Sequence, residues 1–179
     1  MDAIDLVSGA ASRVMVDVRS KGIVAALDHE LTFTAAPEVL TICGVDPSGA
    51  IDVAIDARVP VVRLEPPSDA SRFDRDKMRD NLRGRDVLHM DRWPTLVFRG
   101  RYAGTIEAGK LAGDLEVRGV LRPIAIGVAI TRSGESWRAD ATWEGTLGDL
   151  GIKPFKALFG ALKLADWMRI RIAIDLARV

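Results

Sequence analysis

The stretch GDLEVRGVLRPIAIGVAI, residues 113–130, contains two segments of alternating residues joined by a short turn. Before the turn, leucine and valine alternate with acidic residues, and after it the apolar positions from Ile124 to Ile130 alternate with alanine or glycine. An alternation with a period of two is typical of a strand that buries one face. Because Gly119 separates the two segments, the stretch predicts a pair of antiparallel strands joined in a hairpin.

The same alternation recurs on both sides of this hairpin and predicts a sheet that is apolar on one face. Alternating segments occupy residues 13–19, 51–56, 96–102, 137–144 and 169–176, and less regular strands are predicted over 30–35 and 39–44. Glycine-containing turn sequences occupy residues 46–49, 107–110 and 133–135. About eight strands joined in order by short turns favour an up-and-down barrel or a sandwich.

Three segments depart from this alternation and predict helices. In residues 71–85, Met78 and Leu82 lie one helical turn apart among charged residues. Residues 153–163 carry an apolar stripe at helical spacing, made of Phe155, Leu158, Phe159 and Leu162. A shorter helix is predicted over residues 22–27. We expect one or two of these helices to cap an end of the barrel.

Composition limits the classes of function. The 179 residues suit one domain over 1–179, and the 48% hydrophobic content is enough for a sizeable core. With 25 basic and 25 acidic residues the net charge is zero, so no global field attracts nucleic acid or an anionic membrane. No run is long enough for stable membrane insertion. Cys43 is the only cysteine and no secretory signal opens the sequence, so we expect a cytoplasmic protein.

A barrel of this size has an interior that its side chains either fill or leave open. About eight strands enclose just enough space for side chains or for one small ligand. The residues predicted to face inward are mostly aliphatic, and Gly100, Gly113 and Gly145 add little bulk. The alternation therefore predicts either an elongated apolar hollow or a dry packed core, and by itself it does not decide between them.

A series of short motifs runs between residues 75 and 123. The motifs are Arg75-Asp76, Leu82-Arg83, Asp86-Val87-Leu88, Trp93-Pro94, Phe98 and the strand-turn-strand of residues 113–123. In order and spacing this series resembles the YceI-like family, whose turn has the pattern Gly-x-Leu-x-(Ile/Val)-Arg-Gly-Val-x-x-Pro. The chain departs from the family at Val87-Leu88, where an aromatic pair is usual, and at Leu121, where threonine is frequent.

The resemblance implies an all-β fold, an extended eight-stranded antiparallel barrel of the lipocalin-like type. It also implies that the barrel pore binds, transports or sequesters a polyisoprenoid, a quinone or a fatty-acid-like chain. Such a bound lipid is the only cofactor expected. No nucleophile–base–acid set, P-loop or zinc motif occurs, so we expect neither an enzyme nor a metal site.

An apolar ligand requires the apolar face of each strand to point inward, and this face defines the predicted site. The predicted ligand-binding residues are Val14, Val16, Val18, His29, Phe33, Val53, Ile55, Leu82, Leu96, Phe98, Tyr102, Leu115, Val117, Ile126, Val128, Trp143, Phe155, Phe159, Ile172 and Ile174. Among them, His29 is the candidate to hydrogen-bond a ligand head group at the barrel mouth.

Alternatives remain open at this level. A barrel enzyme would use His29 or a buried carboxylate as its acid–base group. A ligand-free barrel would instead act through its surface in a structural or stress role. In a further alternative, Arg75, Arg79 or Arg83 binds an anionic head group of the ligand. The aspartates interleaved with these arginines favour a solvated helix instead. The sequence also leaves a homodimer open.

Overall fold

The chain folds mainly into strands. The computed structural model describes residues 4–22, 30–45, 51–105, 108–133, 136–153, 156–157 and 162–178. Eleven strands in these residues form one sheet: β1 (Ile4–Ser8), β2 (Arg13–Gly22), β3 (Glu30–Ala35), β4 (Glu38–Val45), β5 (Ile51–Pro60), β6 (Thr95–Gly104), β7 (Ala108–Val117), β8 (Val120–Ser133), β9 (Ser136–Gly145), β10 (Lys156–Ala157) and β11 (Leu162–Arg178). The described helices are α1 (Arg72–Arg83) and two 3-10 helices, Val61–Arg63 and Gly148–Leu150.

The sheet closes on itself through β1. This strand pairs antiparallel with β4 on one side and with β11 on the other, so that Leu6 lies opposite both Thr41 and Arg178. From β4 the strands follow in chain order through β9 to β11, and each neighbouring pair is antiparallel. The predicted antiparallel β-barrel is therefore confirmed.

The strand count of eleven exceeds the predicted eight because two long strands are each broken in two and the two-residue β10 adds one more. β1 and β2 lie one after the other along β11, and β3 and β4 pair with β2 and β1 in turn. At the first break, the buried Ser12 hydroxyl accepts a hydrogen bond from the Asp175 N–H (3.1 Å) and donates one to the Asp175 carbonyl oxygen (3.2 Å). The side chain thus serves as the partner of the Asp175 N–H, while the Asp175 carbonyl oxygen also accepts a hydrogen bond from the Gly9 N–H at 2.7 Å. At the second break stands Pro37, which has no N–H to donate.

The predicted hairpin joins β7 to β8 through a two-residue turn. Arg118 and Gly119 have φ angles of 54° and 74°, and Val117 pairs with Val120 across the turn. Positive φ at both central positions is the type I′ geometry, whose twist matches that of paired strands. A Cβ atom on Gly119 would lie 2.6 Å from Nε1 of Trp93, so glycine is favoured here by conformation and by space.

Replacing Gly119 with alanine is expected to lower the free energy of unfolding by about 1–2 kcal/mol, because a Cβ disfavours the left-handed conformation. Urea unfolding measures the difference. The matched control is Gly127→Ala on β8, where an added Cβ would meet no atom within 4 Å. Equal stability of the Gly119→Ala variant and the wild type would contradict the turn assignment.

Helix α1 confirms the helix predicted over residues 71–85. The Ser71 hydroxyl accepts a hydrogen bond from the Asp74 N–H at 3.2 Å and caps the helix N-terminus. The helix ends at Arg83, before Gly84.

The helix predicted over residues 153–163 is wrong where the structure describes it. Lys156–Ala157 form β10, which pairs with Leu162 and Lys163 at the start of β11. A stripe of about three turns forms a marginal helix by itself, and the edge of β11 offers backbone partners instead. Phe155, Leu158 and Phe159 lie outside the described residues. Of the helix predicted over 22–27, Gly22 belongs to β2 and the rest lies outside the description.

Candidate functional site

The inner face of the barrel encloses a cavity of about 290 Å³, here called the large chamber. Its wall is formed by inward side chains of β2, β4 to β9 and β11, which lie all around the barrel. Pockets for drug-sized ligands measure about 300–1,000 Å³, so the large chamber lies at the lower end of that range. The barrel is therefore hollow, and of the two alternatives that the sequence left undecided, a hollow and a packed core, the structure has the hollow.

A second cavity of about 130 Å³, the small chamber, lies beneath α1. Met78 and Leu82 of α1 line it, together with Leu88 from the segment after the helix. Leu147 and Leu150, at the second 3-10 helix, contribute further buried side chains. The helix and the 3-10 segment therefore cover the end of the barrel that holds the small chamber.

The structure brings most of the predicted site residues to these two chambers. Those lining the large chamber are Val14, Val16, Val53, Ile55, Leu96, Phe98, Tyr102, Leu115, Ile126, Val128, Trp143, Ile172 and Ile174. Val18, Phe33, Leu82 and Val117 line the small chamber. His29, Phe155 and Phe159 lie outside the described residues. Contact of any of these side chains with a ligand stays a prediction.

Three kinds of lining residue are missing from the predicted site. Aliphatic residues on the alternating apolar faces were left out of it, namely Leu111, Ile124, Ile130, Ile170 and Leu176. Ala139 and Ala141 lie on the alternating face of β9, but their small side chains do not indicate ligand contact. Leu64, Leu88 and Leu150 come from segments without strand periodicity, so no pattern placed them inside.

Glycines let the aromatic side chains lie along the barrel wall. A Cβ on Gly100 would lie 2.7 Å from Cζ of Phe98, which shows that the ring covers the glycine backbone. The Trp143 ring covers Gly145 and the Tyr102 ring covers Gly109 in the same way. Each ring thus occupies the space of a missing side chain, which leaves the middle of the large chamber open.

Gly145 offers the mildest way to disturb this arrangement. An added Cβ would collide with the Trp143 ring and the Asp149 carboxylate, which are side chains that can move. We expect Gly145→Ala to push the indole toward the chamber and to weaken binding of a long alkyl probe roughly tenfold, about the value of two buried methylenes. Tryptophan fluorescence and probe titration measure both effects. Unchanged probe affinity would contradict this role of the glycine.

Among the described residues that line the large chamber, Tyr102 is the one with an ionisable side chain. Its hydroxyl donates a hydrogen bond to the Thr105 carbonyl oxygen at 2.7 Å, and burial raises the pKa of the phenol. The hydroxyl therefore stays protonated and satisfied at neutral pH. In the small chamber, Asn81 of α1 is the polar residue that contributes to the lining.

The buried carboxylate, Asp17, belongs to the outer face of the barrel. It alternates with the inward-facing Val16 and Val18 and accepts two hydrogen bonds from Arg171 (2.7 and 2.8 Å). Thr32 and Arg169 donate one each, at 2.7 and 2.9 Å. Burial acts to raise the pKa of Asp17, but these hydrogen bonds outweigh it and hold the pKa below its usual value of 3.8.

A metal site and a membrane-spanning helix are both absent from the described part of the chain. Within it, no three His, Cys, Asp or Glu side chains are grouped closely enough to hold a metal ion. The only α-helix found there, α1, is too short and too polar to cross a membrane.

Comparison with known proteins identifies relatives of the fold. The family model described as YceI-like domain matches residues 7–176. BcnA of Burkholderia cenocepacia superimposes with a TM-score of 0.64 at 15% identity, over 93% of this chain and 96% of that protein. A YceI protein of Campylobacter jejuni gives a TM-score of 0.56 at 13% identity, over 90% of this chain and 85% of its own. Comparison with curated protein sequences gives no significant match.

Proposed function

Because the chain belongs to the YceI-like family, we propose that it holds a long apolar molecule inside its barrel and transports or sequesters it. The proposed ligand is a polyisoprenoid, a quinone or a fatty-acid-like chain. The observation that carries this proposal is the pair of chambers along the barrel interior, whose described lining is apolar except for Asn81, Tyr102 and the tryptophan N–H groups. Such a wall offers a hydrocarbon chain contact without leaving charges desolvated.

The energetics are adequate for a carrier. Burying about 20 carbons at about 0.8 kcal/mol per CH₂ yields about 16 kcal/mol before costs. Lost translation, rotation and chain flexibility remove about 4–15 kcal/mol. Costs of up to about 8 kcal/mol leave the roughly 8 kcal/mol that micromolar binding requires, and this is the affinity that we expect. It is governed by chain length and apolar shape more than by the head group.

Binding is favoured over catalysis by what surrounds the chambers. YceI-like proteins form a family of binding proteins rather than a class of enzymes. An enzyme would need a group that exchanges protons in the pore. The buried Asp17 carboxylate points away from the pore, and the raised pKa of Tyr102 keeps its hydroxyl protonated. The volumes of the chambers also favour a bound ligand. At about 290 and 130 Å³, each chamber is many times larger than the roughly 10–15 Å³ that one water needs, so side chains do not fill the barrel.

Native mass spectrometry of the purified protein, followed by organic extraction, tests the proposal. We expect either a co-purified long-chain molecule or, after extraction, saturable binding of a fluorescent alkyl probe with one molecule per chain. A protein that emerges empty and binds no such probe would contradict the proposed function.

A further inference from the structure

The two chambers meet where five side chains line both of them. These are Val16, Leu64, Leu96, Leu115 and Ile170, here called the waist. Four of them belong to strands, and Leu64 follows the first 3-10 helix. Because the same five side chains bound both cavities, the chambers are neighbours along one interior rather than separate pockets.

The strand order places the waist residues on two facing walls. Val16 and Ile170 are direct partners across β2 and β11. Leu96 and Leu115 stand on the adjacent strands β6 and β7. Going round the barrel, two strands, β8 and β9, separate β7 from β11. The leucine pair therefore faces the Val16–Ile170 pair across the lumen, and Leu64 lies between the chambers with them.

The two walls differ in stiffness. Val16 and Ile170 are branched at Cβ, and their first side-chain torsion is restricted. Leu96 and Leu115 are not branched at Cβ and can exchange rotamers without moving the backbone. The leucine wall is therefore the side that can open the waist to a chain, and an apolar chain that passes it leaves no polar group unpaired.

We propose that the waist sorts ligands by chain length. This inference rests on the proposed function. A short apolar chain fits in the large chamber alone. A long chain opens the leucine wall and places its end in the small chamber, where the buried Leu88, Leu147 and Leu150 stop it. Leu96 and Leu115 are accordingly specificity-determining residues, and the small chamber sets the upper limit of length.

A series of n-alkyl alcohols of about 8 to 24 carbons tests the proposal, since each fully buried methylene raises affinity about fourfold. Affinity is measured by displacement of a fluorescent alkyl probe from the full chain. For the wild type, affinity should rise with length until both chambers are full. For Leu115→Trp, which narrows the waist, it should level off at a shorter chain, with a smaller loss of affinity for short alcohols than for long ones.

Two further variants serve as a second test of the waist and as its control. Leu96→Phe narrows the waist with a smaller change of volume and should shift the levelling point in the same direction, even if Leu115→Trp folds poorly. The matched control is Leu121→Trp, because Leu121 is 59% exposed at the start of β8. It should level off at the wild-type length.

The outcomes separate the two proposals. Narrowed variants that level off at the wild-type length, or that lose affinity equally for every length, would overturn the waist but leave the proposed function in place. A wild type that binds none of the alcohols would overturn the proposed function and the waist with it.

Discussion

Replacing Ala141 with phenylalanine will weaken binding of a long alkyl probe roughly 200-fold. Ala141 lies at the centre of β9, opposite Ile172 and Val128 on the two neighbouring strands, and its methyl group faces the large chamber. A phenyl ring there would exclude about four methylenes of ligand, each worth about 0.8 kcal/mol, for a loss of about 3 kcal/mol. Titration with the fluorescent alkyl probe measures the change.

The same variant should fold at least as stably as the wild type, because the ring fills empty apolar space. Loss of binding with retained stability separates a blocked lumen from a damaged protein. The control is Ala125→Phe on β8, whose side chain is exposed on the outer face. It should bind the probe like the wild type, and full binding by Ala141→Phe would mean that the probe does not use the large chamber.

The largest effect on stability is expected for Asp17→Asn. An amide keeps the shape of the side chain but cannot accept the hydrogen bonds of Arg169 and Arg171 at both oxygens. Asp17 is fully buried, whereas the two arginine side chains remain 28% and 39% exposed, so part of their charge stays hydrated. We expect a loss of about 2–3 kcal/mol, below the full cost of breaking a buried pair.

Thermal and urea unfolding measure this loss, which corresponds to a fall in melting temperature of about 5–10 °C for a chain of this size. The matched control is Asp52→Asn, which removes an exposed carboxylate paired with Arg101 on the outer face. Its melting temperature should equal that of the wild type, since exposed pairs are screened by solvent. Equal stabilities of Asp17→Asn and the wild type would show that the cluster contributes nothing.

The difference in stability between the wild type and Asp17→Asn is expected to depend on pH. The pKa of Asp17 is lowered on folding. Its contribution to the free energy of unfolding is therefore complete above the pKa of about 3.8 that it has in the unfolded chain. As the pH falls below that value, the unfolded chain takes up a proton before the folded chain does. The stability difference between the wild type and Asp17→Asn should therefore be constant near neutral pH and shrink below about pH 3.8.

Much of the barrel could be predicted because charge marks the outer face of its strands. On β6, Arg99 and Arg101 point outward and pair with Asp56 and Asp52, so Phe98 and Tyr102 must point inward. A sheet with one charged face leaves only one register that buries its apolar face. This is why the residues selected by alternation line the chambers.

Other features depend on contacts between distant parts of the chain. Closure through β1 and the break at Ser12 both involve the last strand, which no local pattern links to the N-terminus. At Lys156–Ala157 the helix predicted over 153–163 is wrong because these residues pair with the edge of β11, which the apolar stripe itself does not reveal. Leu64 and Leu88 reach the lumen from irregular segments, where side-chain direction follows from tertiary packing rather than from spacing.

A crystal structure of the protein with an alkyl chain that carries a terminal bromine shows whether the barrel interior stays open and accepts a hydrocarbon chain. We expect anomalous density for the bromine within the chambers, with continuous chain density between Leu115 and Ile170. A barrel whose side chains close the middle, with bromine only on the outer surface, would contradict this expectation.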